Sequence, residues 1–231
     1  MIKACLFDLD GTLLNTLNSI RYYINKNTAP YGISEISEDE TKVFVGNGAR
    51  KLVTNVLSSR GFDLSEEKTK EICEKILESY VKEYDDSPLY LTEPYNGIVP
   101  LVNELSEKKI KLAVISNKPD KTVKQLVTHF FGNIFDIVEG ANERMPLKPD
   151  AHWPIDICKR LGVDPSEVAY VGDTSTDMKT AVNFGAKIAI GVTWGFRDVA
   201  ELLENGARVT VNEAKEIAVI INNENEKIGE E

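Results

Sequence analysis

The sequence predicts an α/β protein: a parallel sheet covered by helices on both faces, with a purely helical segment inserted near its start. Three observations predict it. Short β-rich runs alternate with amphipathic helical patterns along most of the chain. Between roughly residues 17 and 90 that alternation stops, and only helical periodicity is read. Several of the runs also end in polar groups, which is where an open parallel sheet gathers its functional side chains.

The elements follow in order. Residues 2–9 form an apolar run that ends at Asp8 and Asp10. Helical patterns then cover 17–27, 38–45, 49–59 and 66–84, the last with Ile72, Ile76, Leu77, Tyr80 and Val81 at helical spacing. Two linkers near 13–16 and 86–96 join this insertion to the rest, and the second carries Pro88 and Pro94 just ahead of Gly97. Beyond it, strands at 111–116, 135–139, 168–172, 187–192 and 207–211 interleave with helices at 98–107, 121–130, 153–161 and 177–184. The last ten residues are polar and are expected to fray. The expected organisation is therefore a core of 1–15 and 91–221, a helical insertion of 16–90 and a frayed tail of 222–231.

A chain of 231 residues exceeds the commonest size of one domain and falls short of two, which suits a core with a smaller insertion. The net charge of −10 argues against nucleic acid or an anionic membrane as partner. A small anionic substrate remains compatible, because a local lysine and a metal can reverse the field within a pocket. Cys5, Cys73 and Cys158 have no metal-ligand spacing and read as buried thiols, which fits a reducing compartment. The first ten residues do not read as a signal peptide, and no run approaches the ~18 apolar residues of a membrane span, so a cytoplasmic protein is expected.

The strand ends carry the chemistry. In extended chain, residues two apart point to the same side, so the carboxylates of Asp8 and Asp10 face one spot. Gly11 permits a sharp turn, and Thr12 can offer a hydroxyl and an N–H to an anion. Paired carboxylates repel, and a metal ion is the usual remedy. A capped turn at a strand end explains the same residues. Ser116 and Asn117 follow the run LAVI, Lys148 lies in MPLKPD, and Asp173 ends a strand four residues ahead of Asp177. Each has an ordinary account as loop polarity, surface charge or helix cap. Their recurrence at successive strand ends does not.

DLDGT, the SNK triplet, Lys148 and GDTSTD, in this order, resemble the four motifs of the haloacid dehalogenase superfamily. The resemblance spans nearly the whole chain, because the helical insertion sits where that superfamily places its cap. It implies a Rossmann-like core, a bound Mg²⁺ and an aspartyl-phosphate intermediate. Asp8 is then the expected nucleophile, Asp10 the acid and base, and Lys148 a charge partner. Asp8, Asp173 and the Asp10 backbone carbonyl are the expected metal ligands, with Asp177 fixing metal-bound water or Lys148 from behind. Thr12, Ser116 and Asn117 are expected at the phosphate. The roles are physically coherent: a carboxylate ~4 Å from a phosphate dianion meets roughly 8 kcal/mol of repulsion at an effective dielectric of 20, which a metal and a lysine must cancel.

The resemblance also narrows the chemistry. Haloacid dehalogenases and phosphonate hydrolases lack the second motif aspartate, which is present here as Asp10. Sugar phosphomutases carry a histidine soon after the first motif, and NTLNSI has none. VGNGARKL and GVTWGFRD are similar to stretches of the phosphoglycolate phosphatases, which makes Asn47 and Arg50 candidates for reading a substrate carboxylate. A helix-to-helix turn with Arg50 in solvent explains the first stretch as well. Asn15, Ala151 and Phe184 depart from the family pattern without removing a catalytic group.

The expectation is a cytoplasmic Mg²⁺-dependent phosphatase for a small phosphorylated metabolite, phosphoglycolate first, as monomer or homodimer. Pyrophosphatase, nucleotidase, sugar phosphomutase and an idle scaffold of the same fold are the alternatives.

Overall fold

The computed structural model describes residues 1–142 and 144–226, and two compact units divide the chain. One comprises Met1–Asn15 and the chain from Glu93 onward; the other is Thr16–Thr92. In chain order the larger unit begins with β1 (Ala4–Phe7) and β2 (Leu14–Asn15). The smaller unit follows as α1 (Leu17–Thr28), α2 (Glu38–Phe44), α3 (Ala49–Ser59) and α4 (Glu67–Asp86). The larger unit resumes with β3 (Glu93–Pro94), α5 (Ile98–Glu107), β4 (Lys111–Pro119), α6 (Asp120–Phe131), β5 (Ile137–Ala141) and α7 (His152–Leu161). It closes with β6 (Val168–Gly172), α8 (Ser175–Phe184), β7 (Ile188–Val192), α9 (Val199–Glu204), β8 (Val209–Val211) and α10 (Ala214–Glu226).

Among the described residues the main sheet has six strands in the order β5-β4-β1-β6-β7-β8, all parallel. Alternation along β1 shows why its residues are apolar throughout. Ala4 and Leu6 pack on one face with Trp153, Ile157 and Met178 of α7 and α8. Cys5 and Phe7 pack on the other with Leu101, Val123 and Ile217 of α5, α6 and α10. All four β1 side chains are fully buried. Truncating Phe7 to alanine would cost about 3–5 kcal/mol and loosen the strand that carries Asp8. The successors of β1 in the sheet lie on opposite sides of it, so the crevice at its carboxyl end is the topological switch point of the sheet.

Sequence and structure differ in several places. α9 and α10 lie where no helix was expected, and some strand bounds shift. The two linkers meet as an antiparallel pair, Leu14 opposite Pro94 and Asn15 opposite Glu93, too short for periodicity to reveal. β4 continues past Ser116 to Pro119 with a register shift, so the SNK triplet lies within the strand. The expected fraying from residue 222 is corrected as far as 226, because α10 runs on to Glu226. Its polar end hid the reason: Asn225 donates from Nδ2 to the Ile2 carbonyl at 3.0 Å and accepts from the Ile2 N–H, which ties the helix beside β1. Residues 227–231 of that expected tail lie outside the described residues.

The smaller unit is helical. α1 packs on α4 and α2, and α3 on α4. Ser37 and Glu40 form a reciprocal capping box that starts α2. Leu52, Val53, Val56, Ile76 and Tyr80 are buried. No helix among the described residues is long and apolar enough to cross a membrane.

Candidate active site

The last paired residue of β1 is Phe7, and the Asp8 N–H still donates to the Val171 carbonyl at 3.0 Å. Asp8 is thus held by the ladder while its side chain leaves the sheet. The chain then turns at Gly11, whose φ is +86°, a conformation that side-chain-bearing residues avoid. A Cβ on Gly11 would lie 2.2 Å from Asp173 Oδ2, so the turn requires glycine on both counts.

The structure brings Asp8, Lys148, Asp173 and Asp177 together, all buried. Lys148 Nζ lies 2.8 Å from Asp8 Oδ1 and 2.8 Å from Asp177 Oδ1. Its backbone is fixed as well. The Asn117 carboxamide accepts from the Lys148 N–H at 2.9 Å and donates to the Lys148 carbonyl at 3.2 Å. Asn117, expected at the phosphate, therefore uses its side chain to pin the lysine loop to the end of β4. Asp177 is tied twice over: Oδ2 accepts from the hydroxyl and N–H of Thr174, and Oδ1 accepts from Tyr170 Oη at 3.3 Å. Thr174 is the N-cap of α8 and Asp177 its capping-box partner. The helix cap and the lysine contact are thus made by one carboxylate.

Asp173 follows β6 and sits in a tight cradle. Oδ1 accepts from the Thr12 hydroxyl at 3.0 Å, and Oδ2 from the Phe196 N–H at 2.9 Å. A Cβ on Gly195 would fall 2.3 Å from Asp173 Cβ, so glycine is needed for close approach of the 194–196 segment. Trp194 Nε1 donates to the Thr12 carbonyl at 3.1 Å, closing that segment onto the β1 turn. Thr12, expected at the phosphate, has its hydroxyl on Asp173, and Ser116 Oγ accepts from the Lys118 N–H at 3.3 Å.

Asp10 stands apart from the buried cluster. Its carboxylate oxygens lie 3.1 and 3.2 Å from Lys118 Nζ. Lys118 was quoted with its motif in the sequence but given no role. Its signal was the two-residue spacing from Ser116, which puts both on one side of an extended chain. The N–H of Phe196 had no signal of its own beyond the adjacent glycine, because a backbone donor can belong to any residue. In the smaller unit, Asn47 is exposed in the loop between α2 and α3. Arg50 is exposed too, and its guanidinium forks onto both oxygens of Glu74.

The electrostatics of the cluster call for a cation. Burial, then the charge of Asp177, pushes the Asp8 carboxyl up to about 7 against the pull of Lys148. Burial and the charges of Asp177 and Asp8 likewise hold Asp173 well above the carboxylate range. Burial opposes the charge on Lys148, but Asp177 and Asp8 outweigh it and keep the ammonium protonated. Oxygen atoms of Asp8, Asp173 and Asp177 all lie within 4.8 Å of one another. Fully ionised, three carboxylates against one ammonium would leave two negative charges, and an all-oxygen donor set with that surplus fits a hard divalent ion such as Mg²⁺. The arrangement offers a rigid carboxylate able to act as a nucleophile, a place for positive charge among Asp8, Asp173 and Asp177, and, apart from them, a further carboxylate able to transfer a proton.

Comparison with known proteins adds a family. A family model described as haloacid dehalogenase-like hydrolase matches residues 5–190. A phosphoglycolate phosphatase of Aquifex aeolicus is 29% identical over 196 residues, covering 84% of this chain and 86% of its own. Phosphoglycolate phosphatase 1 of Pseudomonas aeruginosa is 27% identical over 218 residues, with 93% and 78% covered. Among solved structures, a protein of Lactobacillus delbrueckii subsp. bulgaricus, provisionally assigned as a phosphoglycolate phosphatase, superposes with a TM-score of 0.86. It is 30% identical, with 95% of this chain and 98% of that one covered.

Proposed function

The chain belongs to the haloacid dehalogenase-like hydrolases and is a phosphatase, and from that premise we propose that it hydrolyses a small phosphorylated metabolite, 2-phosphoglycolate first, through an aspartyl-phosphate on Asp8. The observation that carries this reading is Asp8 itself: a buried carboxylate on the central strand, 2.8 Å from Lys148 and clustered with Asp173 and Asp177.

In the first step an Asp8 oxygen attacks phosphorus, the bond from phosphorus to the ester oxygen breaks, and Asp10 gives its proton to the departing oxygen. In the second, Asp10 takes a proton from water as that water attacks phosphorus, and the bond to Asp8 breaks to release phosphate. Lys148 favours the ionised form of Asp8 and orients it, and Asp177 holds Lys148. Asp8, Asp173 and the Asp10 backbone carbonyl are the residues we assign to Mg²⁺. When bound, that ion supplies the positive charge that lets a carboxylate approach a phosphate dianion. Ser116 and the neighbouring backbone N–H groups are assigned to the phosphoryl oxygens.

Phosphoglycolate is favoured by the names of the relatives and by the GNGA stretch of the smaller unit. We assign the substrate carboxylate to Asn47 or Arg50. Arg50→Ala should then lower kcat/KM on phosphoglycolate more than on a neutral phosphate ester; equal losses on both remove Arg50 from that role. The substrate itself is tested by kcat/KM over a panel of phosphorylated metabolites with Mg²⁺. Phosphoglycolate should lead, and a sugar phosphate, pyrophosphate or nucleotide in its place replaces the substrate while leaving the chemistry intact.

A further inference from the structure

We propose that Lys118 is a positioning residue for Asp10, holding the carboxylate that serves as acid and base at the angle from which it reaches the leaving oxygen. The inference rests on the reading of Asp10 given above. Lys118 Nζ lies 3.1 Å from one Asp10 oxygen and 3.2 Å from the other, so the ammonium straddles the carboxylate. The Lys118 side chain is only 8% exposed and that of Asp10 18%. Lysine is rarely buried without a partner that needs it.

Asp10 has more need of such a partner than Asp8. Asp8 is anchored by its N–H on β6. Asp10 lies beyond that pairing, on the turn through Gly11, with a short bridge to Leu14 beside it. Its side chain therefore lacks the support of the sheet. Lys118 supplies support from β4, at the place where the strand register shifts between Ser116 and Pro119. The Lys118 N–H also donates to Ser116 Oγ, so the group assigned to the phosphoryl oxygens and the holder of the acid share one segment. Each catalytic aspartate thus has its own lysine: Lys148 for Asp8 and Lys118 for Asp10.

Leaving-group dependence tests this. An alkyl phosphate needs a proton on its departing oxygen, whereas p-nitrophenolate departs without one. Since kcat/KM reports the steps up to departure of the alcohol, it isolates the step in which Asp10 acts as acid. Lys118→Met should lower kcat/KM for phosphoglycolate and ethyl phosphate by roughly 10²-fold, as misplacement of a catalytic group does, with a far smaller loss on p-nitrophenyl phosphate. Lys118→Arg should recover most of it. In an Asp10→Asn background, Lys118→Met should add little, because both changes act through one group.

Equal losses on all three substrates would make Lys118 a phosphoryl-binding residue, and a loss confined to phosphoglycolate would make it a carboxylate reader; either overturns the proposal. Should Lys118→Met not fold, Lys118→Gln is read by the same comparison. Asp10→Asn alone separates the two readings. If it does not discriminate between leaving groups, the role of Asp10 fails. If it does and Lys118→Met does not, only the positioning role fails.

Discussion

The Lys148 ammonium lies 2.8 Å from Asp8 Oδ1, inside a site where both side chains are almost wholly removed from water. Breaking a buried pair by removing one partner costs about 3–5 kcal/mol, so this contact is structural as well as part of the proposed mechanism. Lys148 opposes, without cancelling, the burial and the Asp177 charge that raise the Asp8 carboxyl to about 7.

Asp8→Asn should abolish turnover while the fold persists, since the amide keeps the size and removes the nucleophilic charge. Circular dichroism and Tm report the fold, and phosphate release reports turnover. Substantial Mg²⁺-dependent hydrolysis in this variant would remove Asp8 from the role of nucleophile.

Asp10→Asn should lower kcat by roughly 10²–10⁴-fold, the usual contribution of a positioned acid and base. With a good leaving group, phosphoryl transfer to Asp8 can still proceed while water is no longer activated. A phosphorylated chain should then accumulate and be seen by mass spectrometry of the quenched enzyme. Rapid turnover with no such species would sink the two-step assignment.

The stability of the metal-free protein should depend on pH through Asp8. Burial and Asp177 raise its carboxyl to about 7 in the folded chain, against ~3.9 when unfolded. Between these values the folded state holds a proton that the unfolded chain has released. This contribution is therefore fully present below about pH 4 and is lost as pH rises through about 7. In the presence of a chelator, the wild type should lose more Tm between pH 5 and 8 than Asp8→Asn does, and Mg²⁺ should narrow the gap. Parallel slopes would show that Asp8 does not titrate in this window.

Gly195→Ala should weaken Mg²⁺ binding by roughly 10–100-fold, the usual effect of disturbing the support of a ligand, because the new Cβ would meet Asp173 at 2.3 Å. Isothermal titration with Mg²⁺ measures this without any turnover. An unchanged affinity would mean that Asp173 can shift freely, against its two hydrogen bonds.

Much of this site was legible because its parts lie at strand ends. Asp8, Ser116 and Asp173 follow apolar runs, and β6 begins and ends where the run 168–172 does. Lys148 and Asp177 entered through family motifs, since a lone lysine or a helix-starting aspartate has ordinary explanations. The uses of Asn117 and Thr12 were less visible. A polar side chain at a strand end can serve a phosphate or another residue of the site, and only geometry shows Asn117 on the Lys148 backbone and Thr12 on Asp173. The 14–15 and 93–94 pair escaped notice because two residues carry no period. The core was expected to end at residue 221 because Asn225 looks solvent-bound until its contact with Ile2 is known.

The strand order carries a consequence for biosynthesis. β1 leaves the ribosome before its partners β4 and β6, which are made only after the whole helical unit has emerged. Until then, a fully apolar strand and its carboxylates wait without neighbours, the long-range pairing that slows folding and invites association. The compact helical unit Thr16–Thr92 is made in that interval. Asp8 is therefore synthesised well before Lys148, Asp173 and Asp177, and a chain that ends ahead of them carries Asp8 without the partners that surround it in the folded protein.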